Sequence, residues 1–195
     1  MKALGIESMS HTRAQARTKI IIRLSLLLLG VSSLVAVIFF ARPFLEPSLP
    51  FETVMRMGDP PYFFGLHSYR PSTPALYVIS EIQDIDSLPL LVSSPELADR
   101  LRQVDYGHYY AILAVRGRQG VLGYDIVIRR ITRFGANVSV WADFVDPDSY
   151  AGTLQLESIP FELVLVSKEG RWGEQIRFAL INGYIRIAET AHFVS

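Results

Sequence analysis

There is no cysteine among the 195 residues, and the 19 basic side chains are matched by 19 acidic ones. The missing thiols exclude a disulfide scaffold, thiolate zinc sites, thiol catalysis and a lipoprotein anchor, which needs a cysteine to acylate. They leave the redox compartment open, because a cysteine-free domain suits either environment. A net charge of zero argues against a nucleic-acid partner, which requires a basic surface. Charged residues make up only 19%, but hydrophobic residues make up 50%, so the chain is not a disordered polymer. The four histidines, His11, His67, His108 and His192, form no His-x-x-x-His or His-Glu-x-x-His pattern. There is also no Gly-x-Ser-x-Gly elbow and no phosphate-binding glycine loop. The sequence therefore nominates no catalytic residue, no metal ligand set and no cofactor.

The neutral total hides an uneven distribution. Residues 1–23 carry Lys2, Arg13, Arg17, Lys19 and Arg23 against Glu7 alone, about +4, which leaves about −4 for the remainder. Residues 20–41 then read IIIRLSLLLLGVSSLVAVIFFA. From Leu24 to Ala41 there is no charge, enough for a helix of roughly 27 Å that spans a bilayer core if Ile20–Ile22 contribute. Leu24, Leu27, Val31, Leu34 and Ile38 are the anchor positions along it, and Arg23 can snorkel to the headgroups. Phe39 stands where cleavage after Ala41 would need a small residue, so an uncleaved signal anchor is expected. Five basic residues precede the uncharged run and only Arg42 follows it closely. The positive-inside rule then gives a single-pass cell-membrane protein with a cytoplasmic N-terminus and residues 42–195 extracytoplasmic.

Seven prolines fall between Pro43 and Pro74, which disfavours helix or central strand there. Residues 42–60 read as a proline-rich juxtamembrane linker and 61–195 as an exterior β-rich domain. Leu76–Ile79 is a short β-rich run, followed by an acidic turn at Gln83–Asp86. Ser93 and Glu96 have capping-box spacing around Pro95, predicting one short helix to about Gln103. Tyr109–Val115 is apolar enough for the middle of a sheet. Tyr124, Ile126 and Ile128 share one strand face; after a turn at Gly135–Asn137, so do Val138, Val140, Ala142 and Phe144. A two- or three-residue loop fits that turn, so the register stays open. Phe161–Val166 is a further strand. Asn182-Gly183 predicts a type I′ turn that sets Leu180 opposite Ile185 and Phe178 opposite Ile187. The fold class is mainly β: an antiparallel sandwich or open barrel with one short helix, preceded by a single transmembrane helix.

Residues 109–168 resemble the C-terminal domain of the PrcB-like family, accessory subunits of bacterial surface protease complexes. The resemblance is carried by Ala111–Val115, Gly117, the turn Arg118–Leu122, and Gly123-Tyr124 opening a strand. Gly135, Val138–Phe144, Pro147, Gln155 and Pro160-Phe161 then follow in the family's order. The sequence departs from the family at Val121-Leu122, where a polar residue and a glycine usually stand. The resemblance implies a β-rich partner-binding domain without catalytic residues of its own.

The candidate partner-binding surface is aromatic: Tyr62, Phe63 and Phe64 beside prolines, Tyr109 and Tyr110, and the pair Gly123 and Tyr124. Burial of these rings in an ordinary core is the competing assignment. Arg129, Arg130 and Arg133 lie near Trp141 in the sequence, and stacking of arginine on a ring is expected there. Asp143, Asp146 and Asp148 read as solvated turn acids. The expected function is a membrane-anchored, non-catalytic accessory protein that binds another envelope protein, plausibly a protease, and no nucleic acid. The alternatives are a membrane-tethered hydrolase using His67 and His108, and an extracytoplasmic ligand-sensing domain.

Overall fold

The computed structural model describes residues 33, 47–57, 71–92, 95–148, 157–170 and 172–194. The chain divides into two compact units, Met1–Glu46 and Pro47–Ser195, and apart from Ser33 every described residue belongs to the second. The expected anchor, with Leu24, Leu27, Val31, Leu34 and Ile38, lies outside the described residues, as do Tyr62, Phe63, Phe64 and His67. Among the described residues no helix is long and apolar enough to cross a membrane.

The unit is mainly β, and its described residues form eight strands and three short helices. In chain order they are β1 (Phe51–Met57), β2 (Ala75–Ile79), α1 (Ile82–Ser87), α2 (Pro89–Val92), α3 (Pro95–Arg102), β3 (Tyr109–Val115), β4 (Asp125–Phe134), β5 (Asn137–Val145), β6 (Phe161–Ser167), β7 (Glu174–Asn182) and β8 (Ile185–Val194). They form two four-stranded sheets, β1-β6-β3-β2 and β4-β5-β7-β8. The first is wholly antiparallel, whereas β5 and β7 pair in parallel, so the second is mixed.

Two cores explain the apolar patterning. Between the sheets, Leu76, Val78, Tyr110, Ile112, Val164 and Val166 meet Ile126, Ile131, Val138, Val140, Phe178 and Leu180. On the other side of the first sheet, Ile79, Ala111, Leu113, Val115 and Leu163 are roofed by Ile85, Leu91, Leu97 and Leu101 of the helices. Strand β3 is thus central and buried on both faces, which is why Tyr109–Val115 reads as an unbroken apolar run. The order of layers is helices, first sheet, second sheet.

The neighbouring edges of the two sheets are tied at both corners. At one, the Leu49 N–H donates to the Ile131 carbonyl at 2.8 Å, and Glu162 reaches across from β6 to the Ile128 N–H. At the other, the Ser80 hydroxyl donates to the Phe193 carbonyl at 3.1 Å. Both the sandwich and the open-barrel descriptions therefore capture part of the arrangement.

Four sequence expectations need correction. Residues 51–57, assigned to the linker, form β1, an edge strand; the prolines bracket this stretch without interrupting it. Gln83–Asp86 is helical instead of a turn, because Asp84 accepts from the Ser80 and Glu81 N–H groups at 2.7 and 3.1 Å and Ile85 docks into the helix–sheet core. The single expected helix, starting at Pro95, is present with α1 and α2 before it.

The last hairpin turns one residue later than its Asn-Gly pair predicts. Asn182 is opposite Ile185, and a bulge at Ile187 sets Leu180 opposite Ala188 and Phe178 opposite Thr190. Continued along β8, the predicted register would place Glu189 opposite Ile176 in the core, at a cost of several kcal/mol for an unpaired charge. The observed register leaves Glu189 exposed beside Arg186 and turns Val194 inward. The open register of β4–β5 is also resolved. Phe134 pairs with Asn137 across a two-residue turn with Gly135 at φ 58°, and a bulge lies between Ile128 and Arg130.

Candidate functional site

The structure does not bring the nominated aromatic residues into one surface. Tyr109 and Tyr110 are consecutive in β3 and point to opposite faces. Tyr109 is exposed, but Tyr110 is fully buried between the sheets, edge-on to Trp172 and Phe178 at centroid distances of 5.1 and 5.9 Å. As a surface residue Tyr110 is therefore corrected. Burial pushes its phenol well above the ordinary tyrosine range, and its hydroxyl finds no hydrogen-bond partner among the described residues.

Gly123 and Tyr124 sit at the opposite end of the sandwich, and the contacts found there pack the fold. Gly123 has φ 94°, and a Cβ on it would lie 2.9 Å from Pro147 Cβ. The Tyr124 ring covers the Arg116 guanidinium at 4.5 Å. That guanidinium also bonds the Asp125 carbonyl and pairs with Asp146. Asp143 is held by Arg129 at 2.8 Å, so at least two of the three turn acids serve arginines. The expected arginine–aromatic stacking is present, with Arg130 over Trp141 at 5.2 Å and Arg133 over Trp172 at 3.9 Å.

A polar cluster that sequence reasoning missed gathers where β2, α1 and β8 meet. His192 Nε2 lies 2.9 Å from Ser80 Oγ and 3.2 Å from Asp84 Oδ2. The Ser80 hydroxyl proton goes to the Phe193 carbonyl, so Nε2 is inferred to carry the ring proton that both oxygens accept. The residue types are those of a serine hydrolase triad, but the geometry differs: carboxylate and hydroxyl share one ring nitrogen, where a triad needs them on opposite nitrogens. Ser80 is also buried. The cluster consequently acts as a tie holding the end of β8 to the start of α1. Ser80 and His192 are 112 positions apart, so no local motif marked it.

The polar rim continues along this end of the fold. Lys168 Nζ donates to the Tyr106 carbonyl at 2.6 Å, and partial burial lowers its pKa. The Tyr106 hydroxyl donates to the Leu101 carbonyl, and burial raises its pKa, with the Asp84 charge adding to the shift. His108 is 80% exposed and bonds Asp105 three residues earlier at 2.7 Å, a local turn contact. Hydrogen bonds from His108 and the Gly107 N–H hold the Asp105 carboxyl below its usual range. Among the described residues no group of three or more His, Asp or Glu is arranged to hold a metal ion.

Among the described residues no helix covers the outer side of the second sheet. Helices roof the outer side of the first sheet, whereas Ser139, Trp141, Arg177 and Ile181 lie on the outer side of the second, alternating with its core residues. Of the exposed large hydrophobics, Phe134, Val145, Tyr184, Ile185 and Phe193 belong to the second sheet or its turns. Tyr184 and Ile185, 97% and 67% exposed, form the β7–β8 tip. No sequence pattern singled them out, because their exposure follows from the shifted hairpin register. Comparison with protein-family models, curated proteins and solved structures finds no match to this chain.

Proposed function

We propose that the protein is a single-pass membrane protein whose extracytoplasmic β-domain binds another envelope protein through the open side of its second sheet. The observation that carries this reading is the layer order. One sheet is roofed by helices; the other carries the exposed Phe193 on its outer face and the exposed Tyr184 and Ile185 at its β7–β8 tip. Aromatic and aliphatic side chains held on a rigid sheet are the composition of interface hot spots, and they cost little entropy to order on binding. The anchor over residues 20–41 supports the membrane location by length and flanking charge. The PrcB-like resemblance of residues 109–168 supports an accessory role, with a protease as the partner class. Tyr184 and Ile185 replace Tyr110 as the residues nominated for contact.

A photo-crosslinking side chain at position 184 of the full-length protein, expressed in its native envelope, tests the reading. One envelope protein should recur in the crosslinked products by mass spectrometry, and the same probe at Asp99 on the helix layer should not capture it. Indistinguishable products from the two positions would refute the assignment. Topology is tested separately by Ser195→Cys, the sole thiol in the chain, which should react with an impermeant reagent on intact cells.

A further inference from the structure

We propose that Asn182-Gly183 is a site of spontaneous deamidation, and that the isoaspartate formed there opens the β7–β8 tip. The modification depends on this chain alone, whereas its effect on partner contact rests on the proposed role of Tyr184 and Ile185.

Asparagine occurs at only two positions, 137 and 182. Asn182 is the last residue of β7 and pairs with Ile185, so Gly183 and Tyr184 form the turn. Gly183 takes φ 60° and Tyr184 does not take a positive φ, as in a type II′ turn with glycine first. The turn thus depends on Gly183 and makes no demand for asparagine at 182. Among the described residues, neither the Asn182 side-chain amide nor the Gly183 N–H has a hydrogen-bond partner. Gly183 is exposed, and Ile181 and Asn182 are only half-buried, so the closing pair of the hairpin can fray. Asn137 differs on each count. Its Nδ2 donates to the Phe134 carbonyl at 3.5 Å, and the buried, β-branched Val138 follows it within β5.

The chemistry needs only water. Loss of the Gly183 N–H proton to hydroxide leaves a nitrogen that attacks Cγ of Asn182. The new N–C bond forms as the Cγ–Nδ2 bond breaks, ammonia leaves, and a cyclic imide remains. Glycine favours the step because no Cβ hinders the approach of its nitrogen. Water then opens the ring at either carbonyl, and nothing is oxidised or reduced. Opening at Cγ gives aspartate; opening at the main-chain carbonyl gives isoaspartate, whose backbone runs through Cβ and Cγ. Isoaspartate therefore lengthens the chain by one atom inside the turn that Asn182 and Ile185 close. A two-residue turn has no slack for that atom. Tyr184 and Ile185 lose their fixed placement, and the tip gains a carboxylate.

The test ages full-length protein in detergent at mildly alkaline pH in heavy-oxygen water, then digests it with trypsin. Cleavage after Arg177 and Arg186 isolates residues 178–186. That peptide should take up heavy oxygen as aspartate and isoaspartate several-fold faster than Asn137 does in the segment 134–168. The rate should rise with pH, and Asn182→Gln should abolish the uptake. An unmodified 178–186 segment, after ageing that fully converts the same sequence as a free peptide, overturns the site. Chymotrypsin should cut aged protein at Tyr184 several-fold faster than fresh protein, and equal cutting overturns the opening of the tip. With the photo-crosslinker at position 184, ageing the membranes should weaken capture of the envelope partner. Undiminished capture by converted protein overturns the loss of contact. Absence of capture from fresh protein overturns the contact reading and leaves the modification, read by mass, standing.

Discussion

Glu162 gives the sharpest energetic test of the fold. Its side chain lies on the inner face of β6 with no exposed surface, and its carboxylate accepts hydrogen bonds from three residues. Oε1 accepts from the Thr53 hydroxyl at 2.9 Å and from the Arg56 guanidinium at 3.1 and 3.4 Å, while Oε2 accepts from the Ile128 N–H on β4. One carboxylate thus joins β1, β6 and β4 across the two sheets and satisfies a backbone N–H next to the β4 bulge. Glu162→Gln preserves the shape but replaces one acceptor with an NH2 group. In either amide orientation that group meets a donor. If it faces β4, the buried Ile128 N–H is orphaned, at about 1–3 kcal/mol. If it faces β1, the charge-assisted bonds to Arg56 are lost; these are discounted because the Arg56 side chain is 41% exposed and can turn to water. The expected loss is about 2–3 kcal/mol, which for a domain of this size lowers Tm by roughly 5–10 °C. Urea unfolding in detergent, followed by tryptophan fluorescence, should show a lower midpoint with an unchanged slope. A Glu162→Gln midpoint within about 0.5 kcal/mol of wild type would refute the staple, because the Ile128 N–H would then have another partner.

Three further outcomes follow from the packing and charge pairs of the fold. Gly123→Ala combines φ 94° with a contact of 2.9 Å to Pro147 and should cost about 2 kcal/mol; an unchanged midpoint would show that the loop relaxes freely. Tyr110→Phe removes a buried hydroxyl without a partner and should leave stability unchanged or raise it by up to about 1 kcal/mol, so a clear loss would reveal a bound water. Hydrogen bonds from His108 and the Gly107 N–H hold Asp105 below the ordinary aspartate value of 3.8. The stability it contributes is complete above that value and is lost as pH falls through the lowered one. Asp105→Asn should flatten the acid limb of stability against pH relative to wild type, and identical acid limbs would refute the pairing.

Much of the fold was legible locally. The β3 run, the alternation in β5, the β6 strand after Pro160 and the helix beginning at Pro95 were each signalled by neighbouring residues, while the Ser93 cap itself lies outside the described residues. The candidate contact surface was legible only in its residue types. Tyr109 and Tyr110 look alike in sequence, but the pleat sends one to solvent and the other into the core. The β7–β8 tip became the exposed surface because burying Glu189 would cost more than an Asn-Gly turn gains.

By itself the sequence determined the apolar run at 20–41, the opposite charges on either side of it, and a β-rich domain beyond, since span length, charge and strand period are properties of neighbouring residues. Only the tertiary structure decided which sheet the helices cover, that Glu162 binds Ile128, and that Ser80, Asp84 and His192 meet. Those choices pair residues from 34 to 112 positions apart. The balance between desolvated charge and backbone register that settles them does not exist until the sheets pack.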